Sequence, residues 1–275
     1  MFIQRALVTL ILGPLALYLV FLGGWFFFLP VTAVLLVATA EYLNIVQKIG
    51  WQASRWLLFF VVLLQLILAQ WPTLGLASAD LFPPVTLVSF LLIMTYALWL
   101  YERRKSSTTI ADWFSMMGGM MLIGWIGGHL LRIQNLESMA WQWTMLALVA
   151  TWTADTGAYL VGRFLTNRVL GRHQLTPRLS PNKTVEGYFG GVAFSIIVSL
   201  LAANILQLPL GVAALIATAV SLLGPLGDLS MSMLKRQAGV KDSGVLFPGH
   251  GGALDRVDSL IWSVAIAYYL IVWIG

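Results

Sequence analysis

The chain has 275 residues, 59% of them hydrophobic and only 10% charged, with a mean hydropathy of +0.86. A soluble domain carries about 25% charged residues, so a cytosolic globular enzyme, a disordered chain and a nucleic-acid-binding module are excluded. The net charge of +5 therefore needs a positional explanation, and the absence of cysteine removes disulfides, thiolate metal sites and a thiol nucleophile together.

A membrane span needs roughly 20 mostly apolar residues. Nine stretches qualify, near 6–22, 25–46, 56–71, 85–100, 113–131, 141–162, 187–206, 208–226 and 259–274. The expected fold is all-α, a polytopic integral membrane protein of about nine transmembrane helices. No small-residue cleavage site follows the first stretch, where Gly23-Gly24 runs into Trp25-Phe26-Phe27-Phe28, so it is expected to be retained. Every Lys and Arg except Arg132 falls at the N-terminus or in the even-numbered connections. The positive-inside rule then places the N-terminus in the cytoplasm and the C-terminus outside. The basic balance is topology, and no nucleic-acid partner is expected.

Residues 1–140 read as N-terminal transmembrane helices, and 141–275 as a catalytic transmembrane region. That region holds two long cytoplasmic loops, about 163–186 and 227–258. A transporter would show two related halves with its polar groups near mid-membrane; here the polar chemistry crowds onto one face and no repeat is visible. Gly124 and Gly128 form a small-residue pattern that allows close helix approach, within the chain or between copies.

Of eleven acidic residues, Asp80 and Glu137 fall in external loops and read as solvated surface. Glu102 and Asp112 flank Arg103-Arg104-Lys105 and balance it, while Glu41, near a span end, is ambiguous. Asp155 lies inside the sixth span, where a carboxylate costs at least about 2.5–3.5 kcal/mol and signals function by default. The bland alternative is a structural partner for a nearby Arg or Tyr. From Gly227 to Asp258 four carboxylates (Asp228, Asp242, Asp255, Asp258) alternate with four cations (Lys235, Arg236, Lys241, Arg256). If 228–236 is helical, Asp228, Ser232, Lys235 and Arg236 share a face. Hard oxygen ligands suit Mg²⁺ and the cations suit phosphate, so this segment reads as a metal–polyphosphate site. In the run from Arg178 to Gly187, Pro177 and Pro181 exclude a helix. Thr184 or Asn182 is placed to cap the seventh span.

These residues resemble the phosphatidate cytidylyltransferases (CDP-diacylglycerol synthases). Ser232, Lys235, Arg236, Lys241, Asp242, Pro248, His250, Gly251, Gly252, Asp255, Arg256 and Asp258 stand at the positions of that family's C-terminal signature. Ala253 is the departure, where a larger apolar residue is usual. Ala154–Tyr159 and Leu179–Gly187 are similar to further family patterns, whereas the first 140 residues match only as apolar spans.

The resemblance implies that CTP and phosphatidic acid give CDP-diacylglycerol and pyrophosphate, with Mg²⁺ and room for a second cation. It implies Asp228, Asp255 and Asp258 as metal ligands. It implies Lys235, Arg236, Lys241, Asp242, His250 and Arg256 as catalytic residues. Substrate would be bound by Asp155, Ser180, Asn182, Lys183, Thr184 and Glu186. A homodimer among membrane lipids is expected, in a bacterial inner membrane with the site facing the cytoplasm. Two other readings stay open: a related CTP-dependent lipid kinase or isoprenoid-lipid cytidylyltransferase, and a membrane transporter or scaffold.

Overall fold

The computed structural model describes residues 2–72, 79–103, 107–166, 171–246 and 251–275. Its helices are α1 (Phe2–Leu22), α2 (Gly24–Ile49), α3 (Arg55–Gln70), α4 (Phe82–Arg103), α5 (Thr109–Gly119) and α6 (Gly127–Arg132). They continue as α7 (Ala140–Leu160), α8 (Val185–Ile205), α9 (Leu210–Gln237), α10 (Leu254–Val257) and α11 (Leu260–Ile274). A π-helical segment, Met120–Ile126, joins α5 to α6, and another, Val161–Leu165, extends α7.

Among the described residues six helical runs are long and apolar enough to cross a membrane: α2, α4, Thr109–Asn135, α8, α9 and Leu254–Ile274. Only 22% of the most apolar window of α4 and of α8 is buried within the chain. Their remaining apolar surface suits lipid, so the chain is an integral membrane protein. Each of the nine expected stretches falls on helix, but α3 and Gly13–Leu22 are short apolar helices. The Trp, Thr and Asp155 side chains of α7 leave it less apolar than the six.

The all-α expectation needs one amendment. β1 (Gln174–Thr176) and β2 (Ser180–Thr184) form an antiparallel hairpin, with Gln174 opposite Thr184 and Thr176 opposite Ser180. Pro177 and Pro181 bar a helix here, as expected, and the freed backbone pairs across the turn instead. The segment 227–258 is also not all loop, since α9 remains helical to Gln237.

The described residues cluster into two compact units, Met1–Asn135 with Leu234–Val257, and Leu136–Met233 with Asp258–Gly275. In the first unit α3 is central, with Leu58, Val61, Val62 and Leu66 fully buried. Ser54 opens it by accepting a hydrogen bond from Leu57 N at 3.4 Å. The Gly124/Gly128 pattern is used here. A Cβ at Gly124 would strike Gln65, and one at Gly128 would press on Ala69 and Phe82 at 3.2 Å. Asp112 is buried, accepting from Gln52 N at 2.6 Å and Thr108 Oγ1 at 3.2 Å. It ties the α2–α3 connection to the start of α5; Arg104 and Lys105 of the basic run it was expected to balance lie outside the described residues. Asp80 binds Arg132, its Oδ2 2.7 Å from Nη2, and also accepts from Phe82 N at 2.9 Å. Burial opposes the ionised form of Asp80, but Arg132 and the Phe82 N–H outweigh it and hold the carboxyl below the usual range.

In the second unit α7 and α8 are the closest pair. Gly157 faces Gly191 and Phe194, and a Cβ on Gly187 would lie 2.8 Å from the Ala158 carbonyl. Ser195 Oγ donates to Ala150 O at 2.8 Å across the same seam. With little hydrophobic drive between helices in lipid, small residues and such interhelical bonds hold the pair together.

Candidate functional site

Sequence-marked residues gather in two places, one in each unit. The second unit contains a cleft of about 610 Å³ lined by α7, its π-helical extension, the hairpin, α8 and α9. That volume is in the range of small-molecule sites. Asp155, Asn182, Lys183 and Thr184, all expected to contact substrate, line it. Arg163, Arg172 and Tyr188, which had no assigned role, line it too. Three cations and one carboxylate line the cleft, and with Lys183 paired to Asp228 the surroundings remain net positive. Arg163 Nη1 donates to Tyr159 Oη at 2.7 Å and its guanidinium lies 5.7 Å from that ring centre, which holds it in place.

Local sequence explains this arrangement. Thr184 ends β2 and caps α8, its Oγ1 accepting from Gly187 N at 3.1 Å. Lys183, one residue earlier, forms an ion pair with Asp228 of α9; both side chains are half-buried. Glu186 turns to the residue that precedes β1, accepting from His173 N at 3.1 Å with His173 Nδ1 2.5 Å away. Neither Glu186 nor Ser180 lines the cleft.

The first unit holds a carboxylate nest. Lys235, in the last turn of α9, lies 2.5 Å from Asp255, with side-chain exposures of 9% and 8%. Asp255 Oδ2 accepts from Ser243 N at 2.8 Å and Gly252 N at 3.0 Å, with Ser243 Oγ 2.9 Å away. Beside it Glu41 of α2 accepts from Ser243 Oγ at 2.7 Å, Leu254 N at 2.8 Å and Ala253 N at 3.0 Å. The glycines of the signature follow from this nest. Gly251 has φ +81° and a Cβ there would run into Asp255, while one on Gly252 would run into Glu41. Sequence reading left Glu41 ambiguous, although the cost of a carboxylate in an apolar span was the same signal that singled out Asp155.

The other marked residues are placed less tightly. Arg236, Lys241, Asp242 and Arg256 are exposed, and Arg236 Nη1 donates to Val240 O at 3.3 Å. Asp258 is buried, its Oδ1 accepting from Ser259 N at 2.7 Å. Its backbone carbonyl packs on Gly227, leaving no room for a side chain there. His250 and Pro248 lie outside the described residues, as do Arg104, Lys105 and Arg168. Among the described residues no three acidic or histidine side chains form a metal cage.

Comparison with known proteins covers the whole chain. The model of the cytidylyltransferase family matches residues 3–274. A phosphatidate cytidylyltransferase of Synechocystis sp. is 33% identical, over 98% of this chain and 96% of that protein. The Bacillus subtilis protein of the same name is 32% identical over 98% and 97%. A Staphylococcus aureus relative, also so named, is 37% identical over 56% of this chain and 58% of its own length. With the signature residues in place and the match running almost end to end, the chain belongs to the cytidylyltransferase family.

Proposed function

We propose that the chain is a phosphatidate cytidylyltransferase, joining CTP to phosphatidic acid to give CDP-diacylglycerol and pyrophosphate. The observation that carries this reading is the near-full-length match to bacterial proteins of that name. A cationic cleft against an apolar helix pair agrees with it, because both substrates bring phosphate and one keeps its acyl chains in the bilayer.

A phosphomonoester has its second pKa near 6, so the lipid phosphate oxygen is already anionic at neutral pH and needs no base. It forms a bond to the α-phosphorus of CTP while the bond to the α–β bridging oxygen breaks, and the electron pair leaves with pyrophosphate. The barrier is repulsion between anions. Lys183, Arg163 and Arg172 lower it by holding phosphate oxygens against fixed positive charge. On sequence grounds Lys235, Arg236, Lys241, Asp242, His250 and Arg256 complete the assignment, and the chemistry is placed in 141–275.

Mg²⁺ is the cofactor we assign; bound, it would supply charge neutralisation that travels with the nucleotide. Mg²⁺ takes one or two carboxylates and fills its shell with water and phosphate oxygens, so a cage of three acidic residues is not required. Partly exposed Asp228 fits that demand in the second unit once Lys183 gives way to the cation, whereas buried Asp258 would have to release Ser259 N. Asp255 would have to exchange Lys235 or one of its other donors for the cation.

The test is turnover by protein purified in detergent, with CTP, Mg²⁺ and phosphatidic acid. Pyrophosphate together with a cytidylyl-lipid supports the proposal. CDP with a phosphorylated lipid would instead identify a CTP-dependent kinase, and preference for an isoprenoid lipid a cytidylyltransferase of the other kind. No turnover on any of them would leave a transporter or scaffold.

Nine spans, a cytoplasmic N-terminus and a bacterial inner membrane with the site facing the cytoplasm are also part of the proposal, supported by the charge pattern of the connections. A reporter fused after Gly275 is expected to be active outside; activity only in the cytoplasm would overturn the span count. The homodimer uses a surface other than Gly124 and Gly128, whose faces are occupied within their own unit.

A further inference from the structure

We propose that Glu41, on the second helix and far in sequence from the signature, is a positioning residue for the signature loop. The proposal rests on the cytidylyltransferase reading given above. Glu41 is 7% exposed and its carboxylate meets three donors: Ala253 N, Leu254 N and Ser243 Oγ. The two N–H groups stand at the start of α10, where helical donors lack intrahelical partners, so Glu41 satisfies them from a separate helix. Ser243 is shared, because its Oγ and N also reach Asp255. Glu41 therefore fixes Ser243 and the start of α10 against each other and, through them, the orientation of Asp255 and its partner Lys235.

The chemistry requires a carboxylate. Every partner is a donor, and an ionised carboxylate is acceptor-only, whereas an amide would turn an NH₂ group toward one of the N–H donors. Space is matched as closely. A Cβ on Gly252 or on Gly244 would overlap the Glu41 oxygens, so the backbone is pulled against the carboxylate as far as glycine permits.

The kcat and KM for CTP, per folded full-length protein, are measured for Glu41→Gln, Ser243→Ala, Glu41→Ala, Gly252→Ala and the doubles Glu41→Gln/Ser243→Ala and Glu41→Ala/Gly252→Ala. Positioning predicts that the loss falls on kcat, and constants unchanged per folded molecule would overturn it. Gln47→Ala, on the same helix with its side chain accepting from Arg55 Nη2 at 2.9 Å, is the control. Each single variant at the nest is expected to lose at least about tenfold in turnover, as when a buried donor is left unpaired. Each double should fall within about twofold of its worse parent, because both changes break the same arrangement. Losses that multiply in the doubles, or Glu41→Gln at full turnover, would overturn the assignment. If Gly252→Ala fails to fold, the Glu41→Gln/Ser243→Ala cycle decides alone. An inactive wild type would instead overturn the cytidylyltransferase reading, so the two failures are told apart.

Discussion

Asp228→Asn is expected to lower turnover by about 10²–10³-fold, the loss that follows removal of one preorganised electrostatic partner, with folding and insertion retained. The competing account is that Asp228 serves only to neutralise Lys183, its ion-pair partner. That pair is about a third exposed on each side, 34% and 28%, and pairs open to solvent contribute only about 0–1 kcal/mol. A purely structural role therefore predicts almost no change in melting temperature. It also predicts that Lys183→Met/Asp228→Asn loses no more turnover than Lys183→Met alone. If Asp228 instead holds Mg²⁺ and Lys183 holds phosphate, the double variant falls below Lys183→Met. The Mg²⁺ dependence of any residual activity should also shift. A double variant that turns over like Lys183→Met, with an unchanged Mg²⁺ titration, would remove Asp228 from the chemistry.

Lys235→Ala is expected to fail differently, losing stability as well as activity. Lys235 and Asp255 are buried together, and Asp255 already accepts two backbone hydrogen bonds around the signature loop. Removing one partner of a buried pair leaves an uncompensated charge and destabilises by about 3–5 kcal/mol. Arg256→Ala separates the two effects, since Arg256 is exposed. It should lower turnover with little change in thermal unfolding, as befits a phosphate contact. Arg103→Ala, on another connection, should change neither. Equal activity losses at all three positions would mean that general surface charge is being measured. A Lys235→Ala protein that melts like the wild type would show that Asp255 does not depend on its partner.

Composition alone determined that this is a membrane protein, because so few charges cannot cover a soluble surface of this size. Motif spacing carried the chemistry. Lys235, Asp255 and Gly251-Gly252 stand out in the sequence by their spacing, since glycines beside carboxylates at those intervals let backbone approach a charged group closely. The prolines likewise excluded a helix at 177–181, and Thr184 was recognisable as a cap. Tertiary structure decided what hydropathy could not. A window of apolar residues records length and transfer energy but not partners, so it could not tell that the Gly124/Gly128 face closes on Gln65 and Ala69. The segment 227–258 reads by charge as a loop, but α9 stays helical through Asp228 and Lys235, as the shared face of Asp228, Ser232, Lys235 and Arg236 requires. The clearest case is Glu41, separated from Ala253 by 212 residues. Its meaning is a set of hydrogen bonds to a distant loop, and only folding brings acceptor and donors within reach.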